Sequence, residues 1–197
     1  MIDKITLVDA VNNKNYEFAA NMILNATKKS ESKIGSFTDP RDGRTYKTVE
    51  IGNQVWMAKN LNYDAGEGTY CYDDKISNCA KYGKLYTWEA AKRAVPKGWH
   101  LPSKSEFEQM LKFIGEDREG AYSELTKTSD CSFHVLFGGC RDRYGPYNYL
   151  GGIANFWSSS ESDTDHALNL TVYSVTRSAY LKRDSKGDGF SIRCVKD

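Results

Sequence analysis

The chain has 197 residues, enough for one domain with a full core plus an appendage. Its 27 basic and 26 acidic side chains leave a formal net charge of +1, which removes the electrostatic case for nucleic acid or an anionic membrane as partner. No apolar run is long enough to cross a bilayer, and Met1-Ile2-Asp3-Lys4 leads into no apolar stretch of the kind a secretion signal needs. The 13 Tyr, 8 Phe and 4 Trp are read mostly as core and strand residues, because half-buried pleated surfaces favour aromatic side chains.

Residues 1–35 stand apart. Phe18, Ala19, Met22, Ile23 and Ala26 recur at helical spacing, and Thr27 to Lys33 is a polar linker. A short helical segment tethered to a domain over 36–197 is expected, a candidate for packing, homo-oligomerisation or attachment. Asp39-Pro40-Arg41-Asp42-Gly43-Arg44 is a turn. Thr45–Ile51 and Gln54–Ala58 then alternate as two strands of a hairpin. Leu85–Ala94 is expected as a short helix capped by Thr87 and stopped at Pro96. A second helix opens at Ser103, with Glu106 completing a capping box. Phe107, Met110, Leu111 and Ile114 form its buried stripe, and Gly115 ends it. Beyond residue 130 strands dominate: Cys131–Phe137, Phe156–Ser158, Ala167–Tyr173, Ser178–Leu181 and Phe190–Val195, with a turn over Asp184–Gly189 before the last. Two helices packed on a twisted antiparallel sheet with long irregular loops is an α+β plan.

Five cysteines, an odd number, leave at least one thiol without an intramolecular partner. Cys71 and Cys79 close a short polar loop and are expected to form a disulfide, which points to an oxidising compartment. No Cys-x-x-Cys or Cys-x-x-His pair is present, so no metal site is expected.

Six stretches occur in a telling order: Asp42–Val49 (DGRTYKTV), Ile51–Tyr63 (IGNQVWMAKNLNY), Cys79–Ala91 (CAKYGKLYTWEAA), Gly98–Pro102 (GWHLP), Phe156–Glu161 (FWSSSE) and Ser191–Asp197 (SIRCVKD). Together they resemble the Fibrobacter succinogenes major paralogous domain. The resemblance implies a C-type-lectin-like fold similar to that of formylglycine-generating enzymes, in a bacterial extracellular or envelope-associated module. It also implies that Trp99, Trp157 and Ile192 belong to one interior. Proteins diversified by retroelements use the same scaffold. The family has no defined catalytic residues to carry over, so no catalytic residue and no cofactor are expected. Members often carry a Cys before the GWHLP stretch, as partner to the C-terminal one. Here that position is Val95, which leaves Cys194 free or paired with Cys140 or Cys131.

His100, His134 and His166 lack a neighbouring nucleophile or acid placed by motif and are read as structural. Cys140 and Cys194 could suggest the copper pair of formylglycine-generating enzymes, but the spacing is not diagnostic. Asp184–Gly189 lacks the terminal acid and spacing of a calcium loop. Asn25-Ala26-Thr27 and Asn169-Leu170-Thr171 fit the glycosylation pattern. The candidate ligand-binding face comprises Arg141, Arg143, Tyr144, Tyr147, Tyr149, Asp165, His166, Tyr173, Thr176, Arg177 and Tyr180, expected to share one side of the fold. These are residue types that adaptable recognition surfaces use. The reading is a non-enzymatic module that binds a protein or glycan. The alternative is a structural or attachment component of the cell envelope.

Overall fold

The computed structural model describes residues 34–115, 117–128 and 132–197. The expected N-terminal helix, its linker as far as Lys33, and Cys131 lie outside them.

The chain enters with β1 (Ile34–Thr38), which begins two residues before the expected boundary, then turns into β2 (Thr45–Ile51) and β3 (Gln54–Met57). Two devices make the turns. Asp39 N donates to Arg44 O at 2.8 Å across the first, and Gly52 takes a φ of 63° in the second. Asp39 is fully buried, and the Arg41 guanidinium grips both its oxygens, holding its carboxyl below the usual range. A short ribbon of β4 (Thr69–Tyr70) and β5 (Leu85–Tyr86) brackets α1 (Ile76–Tyr82). α2 (Trp88–Ala94), β6 (Trp99–His100), α3 (Lys104–Ile114) and α4 (Arg118–Leu125) follow. A second ribbon, β7 (Cys140–Arg141) and β8 (Tyr147–Asn148), precedes β9 (Ile153–Glu161), β10 (His166–Tyr173) and β11 (Ser178–Ser185). β12 (Val195–Lys196) comes last.

The larger sheet has the order β1-β2-β3-β12-β6, so the C-terminal strand is interior and pairs Val195 with both Trp56 and His100. β11-β10-β9 form a second antiparallel sheet. The side-chain period of two sends neighbouring residues to opposite faces. Val49, Trp56, Phe156, Leu170 and Val195 therefore enter one core, while Tyr46, Met57, Trp157 and Cys194 enter another. α3 delivers Phe107, Met110 and Ile114 to the first core, joined by Ala121 and Leu125 of α4. α2 delivers Trp88, Ala90, Ala91 and Ala94 to the second. Trp99, Trp157 and Ile192 share that second core, as expected.

Both helices expected within the domain are present with their caps, but the first begins at Trp88: Leu85 and Tyr86, expected inside it, pair with Tyr70 and Thr69 as β5. Thr87 accepts from Ala90 N, and Ser103 and Glu106 complete the capping box. Two further helices, α1 and α4, were not expected. α1 has no side-chain N-cap and buries only Cys79, so it leaves no apolar stripe to read. α4 is entered through Asp117, which accepts from Gly120 N at 2.7 Å. Gly115 does end α3, in an extended conformation, and a Cβ there would overlap the Ala121 backbone of α4.

Residues 132–137, expected as strand, form none. Their polar backbone is satisfied elsewhere: Val135 N donates to Leu125 O at 2.8 Å, and the Phe133 and His134 carbonyls accept from the Arg193 guanidinium. Residues 190–194, also expected as strand, are extended and buried but divide their backbone bonds among Tyr86, Asn155, Trp157, Leu61 and Met57. Only Val195–Lys196 joins a ladder.

Arg193 is itself fully buried, and among the described residues it has no carboxylate partner. Its Nε donates to Asn60 Oδ1 at 2.7 Å, and its guanidinium lies 4.3 Å from the Phe133 ring. Replacing it with the apolar Arg193→Met strands three buried acceptors. The expected cost is roughly 3 kcal/mol or more, read as a lower urea midpoint.

Val95 is the position at which the family resemblance implies a cysteine. It packs against the core that contains Cys194, and its carbonyl accepts from Arg41, itself a charged neighbour of that thiol. Val95→Cys is therefore expected to form a disulfide with Cys194. Denatured protein should then show one titratable thiol fewer, with a stabilisation of about 3 kcal/mol lost on reduction.

Candidate functional site

The β7–β8 ribbon is locally specified. Asp142 turns the chain between the strands, accepting Tyr144 N on its carboxylate at 2.8 Å and Gly145 N on its carbonyl at 2.9 Å. The ribbon is fastened to the segment after β11. Arg141 and Gly189 exchange two backbone bonds of 3.0 and 2.7 Å, and Arg143 N donates to Asp188 Oδ1 at 2.9 Å. Gly139 enters it with a φ of 67°, and a Cβ there would sit 2.6 Å from Asn148 O.

On this frame the Arg141 guanidinium lies 4.0 Å from the Tyr70 ring and 5.8 Å from the Tyr147 ring. Tyr147 packs at 5.2 Å on Tyr72 and donates its hydroxyl to Asp74 Oδ1 at 2.6 Å. Burial and the Asp74 carboxylate push its phenol up to about 12, so it stays a donor at physiological pH. Tyr144 is the most exposed ring among the described residues, at 79%, and Arg143 Nη2 donates to its hydroxyl at 2.6 Å. The Cys71–Cys79 disulfide, expected from the sequence, closes the loop that supplies Tyr72 and Asp74. Asp73 and Asp74 both adopt a φ of 54°, a left-handed backbone held inside that closed loop.

The expected face is not one face. Arg141, Arg143, Tyr144 and Tyr147 cluster, and Asp165 connects to the same end of the fold through Lys186 N on its carbonyl at 2.9 Å. His166 faces its own turn, with Nδ1 2.7 Å from Asp163. Tyr173, Thr176, Arg177 and Tyr180 lie at the opposite end of the β10–β11 hairpin. The register pairs His166 with Ser185 and Tyr173 with Ser178, a separation of about 24 Å along β10. There Tyr173 stacks on Tyr180 at 5.6 Å, and Arg177 approaches Tyr122 at 5.7 Å. Tyr149 belongs to the turn before β9, which reaches that second end through Ser174 N on Gly152 O at 2.9 Å. Sequence reasoning missed Tyr70, Tyr72 and Asp74. Their signal was the Tyr-Cys-Tyr-Asp-Asp run at the mouth of the disulfide loop, read only as turn chemistry.

The other candidates resolve as follows. Cys140 and Cys194 are free, and burial pushes their thiols up to about 11 and about 12. With their thiols raised in this way, neither is a thiolate at neutral pH, so they do not present the pair of thiolates that a soft metal needs. Asn169 is fully buried and donates to Asp184 Oδ2 at 2.8 Å, which makes it unusable as a glycan acceptor in the folded domain.

These features define a disulfide-braced α+β module that displays loops from antiparallel sheets. The chain belongs to the Fibrobacter succinogenes major domain family, whose family model matches residues 49–196. Neither a curated protein nor a solved structure matches it. No described helix is long and apolar enough to cross a membrane.

His100 is held from both sides, with Nδ1 2.7 Å from Asp197 and Nε2 2.6 Å from Glu106. Burial alone would lower its pKa, but the two carboxylates outweigh burial and raise it. Glu106 would be raised by burial, but Ser103 and His100 lower it. The histidine contribution is complete below about 6.5 and fades as pH rises through its elevated folded value, whereas the glutamate contribution is complete above about 4.5 and fades as pH falls. The unfolding midpoint should therefore decline above pH 6.5, and His100→Gln should remove that part of the decline. Histidine NMR titration should place His100 above 6.5 in the native chain and lower it in Asp197→Asn.

Proposed function

We propose that the domain is a non-enzymatic recognition module on a C-type-lectin-like scaffold, acting outside the cell or at the envelope. It presents the β7–β8 patch to a protein or glycan. The helices packed on antiparallel sheets and the long irregular stretches support the scaffold. The disulfide supports an oxidising compartment.

The observation that carries the reading is an exposed tyrosine–arginine surface held on a braced base. Tyr144 and Arg143 are exposed and touch each other, while Arg141, Tyr147, Tyr70 and Tyr72 pack on one another in the same ribbon and the adjoining disulfide loop. Such rings give large contact area for little loss of side-chain freedom, and a fixed base lowers the entropy lost on binding. The opposite end of the sheet, with Thr176 and Arg177, is the second candidate: Tyr173 and Tyr180 stack there, but among the described residues no disulfide-closed loop braces them.

A glycan array and a pull-down with the full chain test this directly. Arg143→Ala combined with Tyr144→Ala is expected to weaken the captured ligand roughly tenfold or more, while Thr176→Ala leaves binding unchanged. No ligand in either screen, or sensitivity confined to Thr176, would defeat the proposal.

A further inference from the structure

A cavity of about 660 Å³ is lined by residues of β2, of the segment after β3 and of α1, and by Thr128, Ser132, His134 and Leu136. That volume suits a small ligand. It shares no lining residue with the tyrosine–arginine patch. Among the described residues, no carboxylate lines it.

Among the described lining residues its charge is one-sided. Lys59 and Lys81 line the cavity, and both are exposed. Neither makes an ion pair among the described residues, and the Lys81 ammonium stands 4.8 Å from the Tyr82 ring. Arg44 is already engaged by Asp42, and Lys47 has an interaction of its own, so neither is counted.

A third positive charge sits behind the wall. Asn60 and His134 line the cavity, and both bind the buried Arg193 guanidinium, at 2.7 Å to Asn60 Oδ1 and 2.9 Å to His134 O. Burial lowers Arg193 only to about 9, so it remains a cation at neutral pH. A fixed cation in a low-dielectric interior, with two ammonium groups at the surface, focuses positive potential into the hollow between them. Thr45 and Thr128 add hydroxyls, and Tyr82 adds a ring face.

We propose that this cavity binds an acidic sugar unit, a saccharide carrying a carboxylate or sulfate group. The anion meets Lys59 and Lys81 in front of the Arg193 charge. The threonines meet sugar hydroxyls, and Tyr82 offers a wall for the apolar face of a ring.

The test is an NMR titration of the full chain with a sulfated disaccharide, a galacturonate dimer, inorganic sulfate and neutral cellobiose, at low and high salt. Both charged sugars are expected to shift the Lys59, Lys81 and His134 amides, with affinity falling several-fold at high salt. Lys59→Glu with Lys81→Glu should weaken binding roughly tenfold or more at an unchanged urea midpoint, whereas Lys112→Glu, on a separate groove, should not. Silence at these amides with both charged sugars would overturn the proposal. So would cellobiose or inorganic sulfate binding as tightly as the sulfated disaccharide, or affinity that survives the double reversal. None of these variants touches Arg143 or Tyr144, so the outcome is independent of the patch.

Discussion

The fold turns on a buried cation. Arg193 reaches Asn60 on the segment after β3, the carbonyls of Phe133 and His134 on an irregular stretch, and the rings of Phe133 and Phe156. Those contacts join chain segments as many as 133 residues apart. The desolvation of a guanidinium is expensive, and here hydrogen bonds and ring faces offset it in place of an opposite charge. The arrangement persists only while all the acceptors are in position, so it ties the native placement of these segments to one another.

The C-terminal segment around Arg193 serves the same end. Ile192 O accepts from Leu61 N and Cys194 O from Met57 N, while Val195 pairs between Trp56 and His100. Successive side chains go to opposite cores, so one extended run locks both. A domain closed in this way can leave its connecting stretches irregular. The β7–β8 ribbon and the disulfide loop then carry aromatic and charged groups without being asked to hold the core. The second hydrogen-bonded cluster, Asn155 with Asn169 and Thr171, is completely buried within the β9–β10 ladder and links outward to Asp184. Its amides satisfy one another, which explains why polar residues are tolerated on an interior strand face.

Legibility followed the range of the physics. The capping box at Ser103 and Glu106, the Thr87 cap, the Gly52 turn and the Cys71–Cys79 bridge each need only residues within a few positions, and each was readable. α1 was not, because Lys75 offers no side-chain cap and only Cys79 faces the core. The stretch from Ser132 to Phe137 has strand-forming composition, yet two of its carbonyls, those of Phe133 and His134, belong to a guanidinium some sixty residues away. The binding face was readable as composition and not as placement. Arg141 and Arg177 look equivalent in sequence, but the β10–β11 register carries them to opposite ends of a hairpin.

By itself the sequence determined the family, the α+β class, the local caps and turns, and which aromatic stretches are interior, because those rest on short-range pattern and on the order of motifs. Only the tertiary structure decided which loops share a surface, which cysteines stay free, and where positive charge gathers around a cavity. These depend on strand register and on long-range side-chain-to-backbone bonds, and neither leaves a local trace in the chain.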